Sequence, residues 1–558
     1  MEKRVVIAFV LSMIVMVIWL FVFAPKPPKA PPQEEVTPME KEKAVPESVG
    51  TPIAKAPTLP KEELEILPKA KEKKIEVETP LYRAVFTNVG PTVKSFKLKK
   101  YRETTESNSP MIDLAHLGKS GEDFLKIDFN HGSNPETHKT LYNVDVESIS
   151  LEPDSAPQEL TFRAVRPDGV SVDQTFRFYP DKYQIDLLIN LGNQSDNQIQ
   201  GNLRAHLQNI PTKDRGRLSF VGVALLLNGK LEELEPDDKE IKEGKNLSGQ
   251  IGWVAYEDEY FMSAIVPDEQ EGGSFKGGLL PSGVLGATYM TPPITLHPQG
   301  QASSRFTLYL GPRELSLMKE LGKQLDLAIN FGFFDIIARP MLYALRFFNK
   351  YVKNYGVSII IITILIKILF WPLTHKSYKS MKEMQKLQPL MKKIREKYKH
   401  DKQQMNKETM ALYKTYKVNP MGGCLPMAIQ IPVFIALYNL FGKSIELRHA
   451  PFISWIDDLS APDRALSDFL STHITSIPLM DPPYGIPVLT LLMGATMFIT
   501  QKMTPMTMGD PTQAKIMQFL PLFFTFIFIN FPSGLVLYWL VNNILQIGQQ
   551  YRIKKSSA

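Results

Sequence analysis

A single cysteine, Cys424, stands in a chain of 558 residues, and it lies inside an apolar run. No intramolecular disulfide can form and no Cys-based metal site can be built. The sequence also has no GxxxxGK[S/T] loop, so energy input from a bound nucleotide is not expected. Asp, Glu and His are missing from every long apolar run after residue 356. That absence counts against an intramembrane protease, which needs a base, a carboxylate pair or a metal. It also removes the commonest proton or sodium site of a secondary transporter, a class that otherwise shares polar residues at the midplane. No cofactor is expected, and no DNA partner.

What is present divides into two halves that an average of 44% hydrophobic residues and net charge +6 conceals. Residues 5–24 form an apolar run behind "MEKR", which reads either as a cleavable signal peptide or as a permanent anchor. The run exceeds the roughly 7 to 15 residues of a signal peptide's apolar region, and Pro25 sits where cleavage would fall, so the anchor (1–24) is favoured. Residues 25–74 are dense in Pro, Lys and Glu, a composition that predicts a flexible tether. From Ile75 the pattern changes to period two. "KIEVETPLYRAVFTN" alternates, and "QTFRFYPDKYQIDLLINL" sets Phe176, Phe178, Tyr183, Ile185, Leu187 and Ile189 on common faces around a Pro180-Asp181 turn, which predicts a hairpin. Similar strands recur to about residue 310, so 75–312 reads as a large antiparallel β-sandwich, long enough to be held by its core alone.

Residues 313–355 are predicted to form amphipathic helices lying in the membrane interface, where "FGFFDIIARPMLYALRFFNKYVKN" mixes aromatics with Arg339, Arg346 and Lys350. Spans follow at 356–374 and, within 419–548, at 420–442, 484–501, 515–530 and 533–548. Pro532 and Gly534 separate the last two. With the N-terminal run this makes six, five of them in one bundle. Thirteen Lys or Arg against four acids in 375–418 place that loop in the cytoplasm, and three against six in 443–483 place that one outside. Both termini, including a short basic tail at 549–558, are then cytoplasmic. The β-domain faces outward, as in a periplasm. Within 375–418, Met384, Leu387, Met391, Ile394 and Tyr398 step by 3 and 4, and Met405, Leu412 and Tyr416 continue after a turn near His400-Asp401. This predicts a coiled-coil-like helical hairpin whose lysines either meet lipid headgroups, RNA or substrate, or form a solvated face.

One residue stands out. Lys367 sits near the middle of "SIIIITILIKILFWPLTHK", where a charge costs about 2.5 to 3.5 kcal/mol. With no acidic partner in any span, three readings stay open: the side chain snorkels to the interface, is neutral in an apolar site, or faces a water-filled cavity. Thr363, Lys367 and Trp371 fall on one helical face, Gln430 lies in the next span, and Trp539, Asn542 and Gln546 share a face of the last. Such residues either line a hydrated groove or serve as interhelical hydrogen-bonding glue.

"KVNPMGGCLPMAIQIPVFIALYNLF", "DPTQAKIMQFLPLFFTFIFINFPSGLVLYWLVNN" and "IELRHAPFISWIDDLS" resemble the YidC/Oxa/Alb family of membrane protein insertases, and the resemblance extends over essentially the whole chain. The N-terminal span and the β-domain resemble the Gram-negative form. The resemblance implies an α-helical transmembrane bundle with a periplasmic β-supersandwich similar to sugar-binding folds. It further implies a non-enzymatic insertase and chaperone of the inner membrane. By that resemblance the partners are nascent membrane proteins, the Sec translocon with its accessory subunits, membrane lipids, and the ribosome or signal recognition machinery docking on the hairpin and tail. The family's groove positions correspond to Lys367, Thr363, Gln430, Phe434 and Trp539. The family's usual groove cation is arginine, so lysine at 367 is a departure, and lysine loses its proton far more readily when desolvated. A sugar enzyme in the β-domain rests on fold analogy alone. If the helical half carries the activity, deleting most of 75–310 while keeping the interface helix leaves insertion largely intact. Loss of insertion at normal expression would assign the activity to the other half.

Overall fold

The computed structural model describes residues 73–555 apart from 118–119, 121, 132–139, 212–219, 269–271, 417, 419–424, 474–479 and 505–510. The expected anchor and all but the end of the tether lie outside the described residues. Strand formation begins at Lys74–Glu78, which alternates exposed and buried so that Ile75 and Val77 face inward. It turns back into Tyr82–Thr87 through Thr79, whose Oγ1 accepts from the Leu81 and Tyr82 amides at 3.1 and 3.0 Å. Val170–Phe178 and Gln184–Asn193 form the hairpin the alternation predicts, pairing Phe176 with Leu187 and Phe178 with Ile185.

Strands assemble into an 11-stranded and an 8-stranded sheet. Their apolar faces meet in one core. Phe86 of the larger sheet packs against Phe176 and Phe178 of the smaller at ring separations of 5.2 and 5.7 Å, and each such buried ring stabilises the fold by about 1.5 to 3 kcal/mol. The sandwich is not wholly antiparallel as expected: Lys74–Glu78 pairs in parallel with Ser148–Ser150.

Apart from one short helix within the sandwich, Lys239–Glu243, helices begin after Pro312. They are α1 (Leu315–Leu321), α2 (Asp335–Val352), α3 (Tyr355–Leu369), α4 (Trp371–Lys386), α5 (Gln388–Lys397), α6 (Lys402–Thr415), α7 (Leu425–Lys443), α8 (Ser467–His473), α9 (Val488–Met503), α10 (Pro511–Phe528) and α11 (Ser533–Lys555). Helix α2 buries Ala338, Met341, Leu342 and Leu345 and exposes Ile336, Phe347 and Tyr351. Around α3, α9, α10 and α11, exposed Leu365, Ile368, Leu491, Phe498, Phe519, Phe523 and Ile544 give the bundle an apolar outer surface far larger than a soluble protein shows.

Three expectations need correction. The span at 356–374 is not one helix: α3 and α4 meet at an angle of 61°, because Pro372 has no N–H for the Ile368 carbonyl and its ring crowds that turn. Among the described residues no single helix is long and apolar enough to cross a membrane, although the bent pair α3 and α4 passes that test together. The tail is not separate either, since α11 runs on to Lys555. In the basic region the hairpin is made by α5 and α6 alone. Tyr413 packs there, its hydroxyl 3.5 Å from Met391 Sδ, while the expected Tyr416 is 53% exposed.

Cations join the sandwich to the helices. Arg313 reaches Glu257 at 2.8 Å and donates to the carbonyls of Asp258 and Ala328. Arg448, in the loop after α7, donates to the Arg102 and Glu103 carbonyls and lies over the rings of Tyr260 and Phe261. Lys443 Nζ donates to the Asn330 carbonyl. In the same loop Asp463 accepts from the Leu489 and Thr490 amides and so caps α9, while Arg464 donates to Ile529 O and Asn530 Oδ1 at the turn between α10 and α11.

Complete burial pushes Glu257 up from 4.5 to about 7, with Arg313 pulling the other way. The unfolded chain releases this proton near 4.5 and the folded one near 7, so the penalty on folding is absent below 4.5, grows through that window and is complete above it. Glu257→Gln therefore gains stability over the parent as pH rises from 4.5 to 7, by up to on the order of 3 kcal/mol, in melting curves taken across that range. A difference independent of pH would show that Glu257 titrates normally.

Candidate functional site: a polar cavity behind a buried cation

Helix α3 starts on Asn354, whose side chain accepts from the Val357 amide at 3.0 Å and thereby caps it. Its last turn carries Lys367, immediately before the break that Pro372 imposes. The side chain is 8% exposed. Its Nζ donates to Asn542 Oδ1 of α11 at 3.3 Å, a long and weak bond. Around the pair lies a cavity of about 40 Å³ lined by residues that include Ile366, Thr374, Gln430, Val433 and Tyr538.

A second cavity, of about 280 Å³, opens between α4, α7, α9, α10 and α11. Uncharged polar side chains supply much of its lining: Gln430, Thr500, Gln501, Thr504, Asn542, Asn543 and Gln546, with Tyr378 beside them. Its apolar wall includes Phe434 and Trp539, set edge to face at 5.0 Å, with Phe528 closing behind Trp539 at 5.2 Å. The cavity is large enough for water, and its polar side chains are groups that water could bond.

The structure brings four of the five expected positions together. Gln430, Phe434 and Trp539 line the larger cavity and Lys367 and Gln430 the smaller. Thr363 lines neither. It is 1% exposed and donates to the Ile359 carbonyl of its own helix at 2.7 Å, which leaves it a packing position. Trp371 falls beyond the break and is 37% exposed, so the expected face Thr363, Lys367, Trp371 does not persist.

Sequence reasoning missed a ladder of side-chain bonds. Asn543 donates to Thr496 at 3.3 Å, Gln549 to Thr374 at 2.9 Å and Gln550 to Thr504 at 3.0 Å. The signal was there in the recurrence of amides at 542, 543, 546, 549 and 550 along α11, a spacing that fits helical faces turned to α3, α4 and α9. Among the described residues no group of three or more His, Cys, Asp or Glu is placed to hold a metal ion.

Comparison with known proteins decides the family. Residues 74–344 match a family described as the YidC periplasmic domain, and residues 347–558 match one described as 60Kd inner membrane protein. The membrane protein insertase YidC of Syntrophobacter fumaroxidans is 40% identical over 565 residues, covering 100% of both chains. That of Syntrophus aciditrophicus is 42% identical over 574 residues, again covering 100% of both. The chain belongs to the YidC family of membrane protein insertases. A crystal structure of an active YidC insertase with its first transmembrane domain resolved covers 86% of this chain and 93% of its own at 18% identity, with a TM-score of 0.35, too low to carry an argument. Family membership places the described sandwich in the periplasmic domain and the cavity-bearing bundle in the inner-membrane part.

If the larger cavity holds water, a cysteine at Gln546 in a Cys424→Ser background reacts with a water-soluble maleimide in membrane vesicles at least about tenfold faster than one at Ile544, which lies on the apolar outer surface. Equal rates would mean that the cavity is dry.

Proposed function

We propose that this chain inserts and folds integral proteins of the inner membrane by letting their polar segments enter the cavity beside Lys367 while apolar segments pass into lipid. One observation carries the reading. Among the described residues the buried ammonium of Lys367 has no acidic partner, and it stands behind a cavity lined in part by neutral amides and hydroxyls. A polar segment crossing there meets donors and acceptors instead of hydrocarbon, which lowers the desolvation cost that otherwise blocks it. An acidic segment gains attraction to the cation as well, in a setting where charges are weakly screened. No bond is made or broken.

The charge bias of the loops supports cytoplasmic termini, a cytoplasmic α5–α6 hairpin and a periplasmic sandwich. In this orientation the basic hairpin stands where ribosomes, signal recognition machinery or anionic lipid approach, and cooperation with the Sec translocon and its accessory subunits takes place in the plane of the membrane. The six-span architecture and the sugar-fold-like supersandwich belong to this reading. So do the groove roles of Lys367, Gln430, Phe434 and Trp539, with Thr363 packing beneath them.

The test is protease protection of a single-span substrate with an acidic translocated tail, added to liposomes that hold the purified protein. The parent and Lys367→Arg are expected to translocate the tail, whereas Lys367→Ala and Lys367→Glu fail. Equal translocation by all four would reduce Lys367 to a tolerated charge and leave hydration of the cavity as the working element.

A further inference from the structure

Lys367 does not line the larger cavity. Among the described residues Gln430 and Asn542 line both spaces, so a hydrogen-bonded relay from Lys367 to a chain in the larger cavity runs through one of these two residues. Gln430 lines the smaller space beside Tyr538. Asn542 is the residue bonded to Lys367, and among the described residues Nζ has no other hydrogen-bond acceptor.

The chemistry of that bond fixes the orientation of the amide. An ammonium offers three donors and no acceptor, so Asn542 must turn Oδ1 toward Lys367 and Nδ2 away. The two Nδ2 N–H donors of the planar amide are then left unused by the cation. Asn542 is 6% exposed, and among the described residues no acceptor serves Nδ2, although Asn542 stands in the wall of the larger cavity. Its neighbour Asn543 shows the alternative, since that Nδ2 is occupied by Thr496. A donor bonded at its other end to a cation is polarised and becomes the stronger donor.

We infer that Asn542 is the specificity-determining residue of the insertion cavity: held by Lys367 through Oδ1, it presents Nδ2 to acceptor oxygens of the passing polypeptide, carboxylates above all. This rests on the reading of the cavity as the insertion site. It assigns recognition to the amide and makes the lysine a positioning and polarising residue set one layer back. The arrangement suits a lysine in particular, because a compact ammonium meets one carbonyl oxygen as a point donor, whereas a guanidinium is a planar fork.

The experiment is a double-mutant cycle in the liposome assay, comparing Lys367→Met, Asn542→Leu and the pair, each with an acidic-tail and a neutral-tail substrate of equal length. If the two residues act as one unit, each single variant lowers acidic-tail translocation about tenfold, the pair is no worse than the weaker single, and the neutral tail changes by less than about threefold. Asn542→Asp, which pairs with the ammonium and removes both N–H donors, is expected to lose acidic-tail translocation as fully as Asn542→Leu. Asn542→Gln, which keeps an amide, retains part of it. Multiplicative losses in the pair, parental activity in Asn542→Leu, or equal losses with both tails would each overturn the inference. If Lys367→Met is itself unimpaired, the electrostatic reading of the cavity fails first and this inference falls with it. Should Asn542→Leu not fold, the Asp and Gln variants preserve the polar volume and carry the same comparison.

Discussion

A primary ammonium among apolar helices must be hydrated or hydrogen-bonded, and the inner arrangement of the bundle follows from meeting that requirement without an anion. An aspartate opposite Lys367 would satisfy the charge at close range and also extinguish its field. Asn542 supplies a dipole instead, which offsets part of the desolvation cost while leaving a net positive charge. Pro372 contributes by ending α3 just past the lysine, so that the helix departs at 61° and opens space that a straight span would have filled.

The lining of the larger cavity has a chemical logic of its own. Amides and hydroxyls both donate and accept, so they can serve a peptide group in either sense and do not select a sequence. Charge would select. On the proposed reading, Lys367 behind this uncharged layer, with aromatic Phe434 and Trp539 beside it, separates two tasks: general solvation of backbone and a graded preference for acidic segments. An insertase that handles many clients needs the first to be broad and the second to be weak enough to release.

The sandwich was legible because a period of two states which face is buried, and residues such as Phe176 and Ile185 fell where alternation put them. Long apolar stretches marked the helices, but their ends depended on events that hydropathy does not register. Pro372 broke a stretch that reads as continuous, and α11 outran its apolar portion because amides can be buried when they pair with threonine hydroxyls across helices. Thr363 was drawn to the cavity by its i, i+4 relation to Lys367, yet its hydroxyl is consumed by its own backbone. Asn542 carried a visible signal as a polar residue on an apolar helix. Only geometry distinguished it from Asn543, because bonding partners on other helices, Lys367 on α3 and Thr496 on α9, are not written in local spacing.

The loop after α7 has a mechanical consequence. Asp463 seizes the first amides of α9, Arg464 grips the turn between α10 and α11, and Arg448 fastens the same loop to the sandwich. The bundle is thus riveted at this edge through backbone groups, while its opposite edge is held by side-chain bonds such as Gln549 to Thr374 and Gln550 to Thr504. A helix the length of α9, 16 residues or about 24 Å, that tilts by about 10° about its fastened end sweeps its far end through roughly 4 Å, comparable to the width of an extended polypeptide strand.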